Sequence, residues 1–159
     1  MNTAAAAQDY LRPRSLSEAL DSLASGERRI LAGGTDLYAG DLAWRAGPVL
    51  DIMALSELAQ ITIGRTLRIG ATTTWTTIAE ESLPPALHAL QVAARQVGRR
   101  QIQNAGTIGG NLCNASPAAD GVVPLLALDA AVELSAVAGT RCVALADFIV
   151  GPRRITLRA

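Results

Sequence analysis

Lysine is absent from the 159 residues: all fourteen basic side chains are arginine, and fourteen acidic ones balance them. That balance excludes partners recruited by bulk charge, nucleic acid and membrane surfaces among them. The arginine-only usage is a compositional bias without functional content. Aromatic residues make up only 3% of a chain that is 50% hydrophobic. Ala, Leu, Ile and Val are therefore expected to fill the core, through closely packed helices and strands. The two cysteines, Cys113 and Cys142, are too few for a cysteine-rich zinc or iron–sulfur site. As reduced thiols they fit the cytoplasmic location expected of this chain. The single histidine, His88, falls on the exposed side of a predicted helix. No apolar run approaches the roughly 18 residues of a membrane span. The first ten residues lack the basic and apolar regions of a signal peptide and read as a short frayed tail. No Ser/His/Asp set, metal-ligand spacing or carboxylate pair stands out, so no catalytic residue is assigned.

What is present is enough chain for one medium domain or two small ones. Leu16, Ala19, Leu20, Leu23 and Ala24 form one apolar stripe, predicting a helix over 15–25 with a Ser15–Glu18 capping box and a stop at Gly26. Arg29 to Ala32 reads as a strand, Leu37 to Trp44 as a helical turn or two, and Val49 to Ile52 as another strand. Beyond Leu58 the period changes. Ile61, Ile63, Leu67 and Ile69 predict a hairpin turning near Gly64. The polar run Thr72 to Thr77 leads into a short helix ending at Glu81. Pro84 and Pro85 open a helix over 86–97 with Leu87, Leu90, Ala94 and Val97 inward. Gly98 to Arg100 ends it and leads into a long polar loop, Asn104 to Asp120. A buried helix over 121–129 and a second hairpin, Val132 to Ala136 with Cys142 and Val143, complete the pattern. The boundary is expected near Leu58, giving units 1–57 and 58–159.

Two glycine pairs carry the candidate chemistry. Gly33-Gly34 follows a strand within Leu31-Ala32-Gly33-Gly34-Thr35-Asp36-Leu37. Thr107-Ile108-Gly109-Gly110-Asn111 lies in the polar loop. Glycine lets a backbone approach a diphosphate closely and aim N–H groups at it. Taken alone, Gly33-Gly34 reads more readily as an ordinary turn, and it lacks the Rossmann spacing and a P-loop lysine. Together the two pairs suggest a two-sided phosphate cradle. Asp120 is open to two readings: the N-terminal cap of the next helix, or an acceptor for sugar hydroxyls. Cys113 is expected to be a packed thiol, and Arg99 and Arg100 a solvated helix end.

These stretches, with Ile102 to Leu112, Ala115 to Asp120, Ile69 to Thr72 and Asp147 to Ile149, resemble the FAD-binding medium subunit of molybdenum hydroxylases, the xanthine dehydrogenase and carbon monoxide dehydrogenase type. The resemblance runs from about Tyr10 to Arg158. It implies an α+β, vanillyl-alcohol-oxidase-like FAD-binding fold, with two small α/β subdomains and FAD between them. By that resemblance Leu31 to Leu37 and Thr107 to Asn111 wrap the pyrophosphate, Asp120 binds a sugar-chain hydroxyl, and Val97 and Gly98 lie near the cofactor. The implied partners are a molybdopterin-binding large subunit and a [2Fe–2S] small subunit, with NAD or another electron acceptor. Family members continue past the position of Ala159, so this chain reads as truncated, with its seat for the flavin ring incomplete. A non-catalytic remnant and a different flavoenzyme of the same fold are the alternatives. The extra iron–sulfur insertion of some relatives is excluded by the two cysteines.

Overall fold

Buried apolar side chains fall into two clusters, and the chain fills them in sequence order. The computed structural model describes residues 9–38 and 47–157. The first cluster sits on a three-stranded sheet of β1 (Tyr10–Leu11), β2 (Arg29–Leu31) and β3 (Val49–Asp51), in the order β1-β3-β2 and parallel throughout. α1 (Leu16–Ser25) connects β1 to β2 and buries Ala19 with Leu50 and Leu55, while Leu11, Leu23, Ile52 and Leu58 close the edges. Ser15 Oγ accepts from the Glu18 amide, as a capping box requires. The Glu18 carboxylate returns one residue further back than expected, accepting from Arg14 N at 2.9 Å. Gly26 ends the helix in extended backbone, φ 171 and ψ 167, so the expected glycine stop is not a left-handed one.

The second cluster begins after a 3-10 turn at Ser56–Leu58. The hairpin of β4 (Ile61–Ile63) and β5 (Leu67–Ile69) has the register Ile61 opposite Ile69 and Ile63 opposite Leu67. There follow α2 (Trp75–Glu80), a 3-10 turn at Pro85–Leu87, α3 (His88–Gln96), α4 (Arg100–Ala105), α5 (Ile108–Asn114) and α6 (Val122–Ala127). A second hairpin, β6 (Ala131–Ala136) with β7 (Gly139–Ala144), leads through α7 (Leu145–Phe148) into β8 (Ile149–Gly151) and β9 (Arg154–Ile155). Leu87, Leu90, Ala94 and Val97 are all buried, as their spacing predicts. Trp75 and Phe148 are the largest fully enclosed side chains. These two aromatics thus occupy the centre that the composition assigns to aliphatic residues alone, while Tyr10 and Tyr38 are exposed.

Four expectations are corrected. Asn104 to Asp120 is not one loop: it holds the end of α4 and all of α5, interrupted at Gly106. Two glycines and two asparagines make α5 a poor helix by propensity, and tertiary contacts override that. Thr107 caps it, its Oγ1 accepting from Gly110 N at 3.1 Å, and Gly109 lies against Ala71. α6 is shorter and less buried than a nine-residue apolar run implies. Pro124 and Leu125 face inward while Val123 and Leu126 face solvent. Gly121 occupies its N-cap and no side chain caps it, so Asp120 is not a cap. The 86–97 helix divides into the proline-opened 3-10 turn and α3. The helical turns expected over 37–44 and the N-terminal tail lie largely outside the described residues. No helix among the described residues is long and apolar enough to cross a membrane.

The burial difference sets a test. Leu90→Ala is expected to cost about 2–5 kcal/mol from a closed core. Val123→Ala, at 72% exposure, is expected to cost no more than about 0.5 kcal/mol. Urea midpoints at unchanged m value measure both, and equal losses would contradict this placement of α6.

Candidate functional site

The two glycine stretches meet backbone to backbone. A Cβ built on Gly33 would overlap the carbonyl of Ala105 and lie 3.1 Å from Gly106 Cα. One built on Gly106 would lie 3.3 Å from the Trp75 ring and 3.6 Å from Thr35 Oγ1. The loop after β2 is therefore pressed against the end of α4, with Thr35 beside the break that starts α5.

Residues 71–75 hold the second stretch in place. Ala71 O accepts from Gly109 N at 2.9 Å, Thr73 O from Ile108 N at 3.0 Å, and Trp75 N donates to Gly106 O at 3.1 Å. Thr74 and Thr107 face each other across this short antiparallel bridge. The same segment reaches back to the first cluster's edge, where Thr72 N donates to Leu58 O at 2.8 Å.

The amides of the two stretches differ in what they have left to offer. From Ile108 to Asn111 every N–H is spent, on Thr73 O, Ala71 O, Thr107 Oγ1 and Thr107 O respectively. From Gly33 to Leu37 no N–H donates to another described residue. Gly34 has φ +69, and Tyr38 N closes a turn onto Gly34 O at 2.9 Å. Left-handed turns of this kind gather successive N–H groups into a concavity suited to an anion. Leu31 is buried at the end of β2, its Cδ1 3.3 Å from where a Cβ on Gly34 would lie.

The second stretch contributes shape and side chains. Gly109 is a packing glycine, since its Cβ would lie 2.6 Å from Ala71 O. At Gly110 a Cβ would meet only Thr107 Oγ1, at 3.0 Å. Asn111 Oδ1 is buried beside Gly121 without a partner, and the Thr72 and Thr73 hydroxyls, on residues 2% and 1% exposed, are likewise unpartnered among the described residues. Each such atom costs about 1–3 kcal/mol if nothing satisfies it. Asp120 is exposed, and its carboxylate makes no hydrogen bond or ion pair with a described residue. Unspent amides, an orphaned amide oxygen, an unobstructed glycine and a free carboxylate fit a ligand with phosphate charge and sugar hydroxyls.

Several contributors escaped the sequence reading. Ala71, Thr72 and Ala105 entered only as members of stretches that resemble the family, with no role assigned, and Thr73 carries no signal beyond a polar run. Asp51, buried at the end of β3, accepts from the Tyr10 hydroxyl, from Met53 N at 2.9 Å, and pairs with Arg12 Nε at 3.4 Å. This ties β1 to β3 next to Leu31, and the Asp51 hydrogen bond pushes the Tyr10 phenol pKa up. Arg100 is ion-paired with Glu80 at 2.6 Å, so it is not held free for phosphate. Cys113 belongs to an exposed residue, yet atoms packed around its sulfur push the thiol pKa up. An activated nucleophile requires the opposite shift. Among the described residues no cluster of His, Cys, Asp and Glu could hold a metal.

Comparison with known proteins points the same way. Residues 4–159 match the family model described as the FAD binding domain in molybdopterin dehydrogenase. The xanthine dehydrogenase FAD-binding subunit of Escherichia coli O157:H7 is 37% identical over 157 aligned positions, 93% of this chain and 53% of that protein. The nicotinate dehydrogenase FAD-subunit of Eubacterium barkeri is 41% identical, over 90% of this chain and 51% of that one. The crystal structure of a Cu,Mo-CO dehydrogenase in cyanide-inactivated form superposes with a TM-score of 0.87 at 32% identity, covering 95% of this chain and 55% of that one. The quinoline 2-oxidoreductase of Pseudomonas putida 86 gives 0.85 at 30% identity. The chain thus spans about half the length of the relatives it matches.

The glycines are expected to respond differently to a methyl group. Gly33→Ala sets a side chain against backbone and should lower stability by more than about 2 kcal/mol. Gly110→Ala should change it by less than about 1 kcal/mol, because alanine's helix preference offsets a mild contact. Thermal unfolding of the two variants measures the contrast, and equal losses would remove Gly33 from the junction.

Proposed function

Because the chain belongs to the FAD-binding domain family of molybdopterin dehydrogenases, we propose that the junction of its two glycine stretches holds FAD. In this reading residues 1–57 and 58–159 are the two subdomains, and the cofactor lies between them. The unspent amides from Gly33 to Leu37 carry the proposal: they donate to the pyrophosphate, and Thr35 adds its hydroxyl. Gly110 gives the cofactor close approach to α5, and Asn111 offers its orphaned side-chain oxygen. Asp120 accepts from a ribityl or ribose hydroxyl, as an acidic residue does for dinucleotides elsewhere. Bound FAD supplies a redox-active ring for passing electrons. That role asks no acid or base of the protein.

The further proposal concerns the whole assembly. Relatives named as FAD-binding subunits of dehydrogenases support a place in an oxidoreductase, and we place it in the cytoplasm. There the chain would sit beside a molybdopterin-binding large subunit and a [2Fe–2S] small subunit, with NAD or another acceptor taking the electrons.

Titration of the purified chain with FAD, followed by the visible flavin spectrum, tests the site. Asp120→Asn is expected to weaken FAD about fivefold to tenfold, the difference between a charged acceptor and the neutral amide oxygen that replaces it, at unchanged melting temperature. Gly110→Ala should weaken it more than Cys113→Ala. A parent chain that ignores FAD would overturn the reading. Equal affinities for the parent, Asp120→Asn and Gly110→Ala would remove those two residues from the site.

A further inference from the structure

Asp120 makes no contact that would place it, so its position depends on the turn that carries it. That turn, residues 115–121, contains neither helix nor strand. Its later part is closed internally, with Ala119 N donating to Ser116 O at 3.0 Å and Val122 N to Ala119 O at 3.1 Å. Its first part is held from outside. Arg153, at the tip of the β8–β9 hairpin, donates its amide to Ala115 O at 2.7 Å and its Nη1 to Asn114 Oδ1 at 2.8 Å. The two residues joined by that backbone bond are both left-handed and neither is glycine: Ala115 has φ 44 and Arg153 φ 55. Each such residue costs about 1–2 kcal/mol, and the strain persists only where surrounding contacts over-determine it.

We propose that Arg153 is a positioning residue for the cofactor site, clamping the end of α5 so that the following turn presents Asp120. The proposal rests on the FAD reading for its functional half, while the clamp itself is independent of it. The guanidinium acts on Asn114 and the amide on Ala115.

Arg153→Asn removes the guanidinium, keeps the amide and leaves a residue that tolerates the left-handed region. Asn114→Ala removes the side-chain partner. Each is expected to weaken FAD binding about threefold to tenfold, the double variant no more than either single, because they break one interaction. In an Asp120→Asn background, Arg153→Asn should add less than about twofold, since both act through the same carboxylate. A purely structural staple would lower the melting temperature without that dependence. Hydrogen exchange at the Ala119 and Val122 amides should accelerate in Arg153→Asn whether or not FAD is present. Unchanged exchange would overturn the clamp. Unchanged affinity in a chain that binds FAD, or losses that multiply with Asp120→Asn, would overturn its positioning role. Accelerated exchange in Arg153→Asn, together with a parent chain that ignores FAD, would sustain the clamp and sink the FAD reading with the positioning role.

Discussion

Gly33 and Ala105 touch through their backbones, and that contact constrains everything around them. There is no room for a Cβ between the strand-end loop and the last turn of α4. The sheet order β1-β3-β2 delivers that loop from an edge strand. The Gly106 break delivers the opposing chain, and Trp75 backs the break from inside the core. Were the two stretches held apart by a side chain, Thr35 would lose its place beside Gly106. The concavity would then open to solvent on its inner side.

The same contact divides the work between the stretches. Hydrogen bonds compete for a fixed number of N–H groups, and those of α5 have already been committed to the 71–75 segment and to Thr107. This fixes the helix firmly but leaves its first turn little with which to attract an anion. The loop after β2 is the reverse, with amides uncommitted and its shape set by Gly34 and the Tyr38 turn. Similar glycine motifs are thus left in unlike states: one has amides uncommitted among the described residues, the other has committed them.

Periodicity made a good part of this legible. The α1 stripe, both hairpins and the inward face of α3 follow from spacing alone, because burial repeats with the backbone. The α4–α5 stretch was not legible, since its glycines and amides describe a loop by propensity while Thr107 and Ala71 make part of it a helix. The candidate site was legible as residue types, two glycine pairs and an acid, and through its family resemblance. The division of labour was not, because whether an amide is spent depends on partners such as the Ala71 and Thr73 carbonyls, a role that residue type does not reveal. Asp120 failed as a cap for a related reason: Gly121 takes the N-cap, so the carboxylate is left in solvent.

The link between Leu58 and residues 70–72 has a consequence of its own. Gly70 is pressed onto the Leu58 carbonyl, which also receives the Thr72 amide, and Gly70 N donates to Gln60 O at 2.9 Å. Leu58 packs against the first cluster, while the segment it binds organises the second. Loss of order in the first would strip acceptors from the segment that supports α5. The two cores are therefore coupled in melting, and a cooperative unfolding unit extends across the position where a simple linker would have let them part.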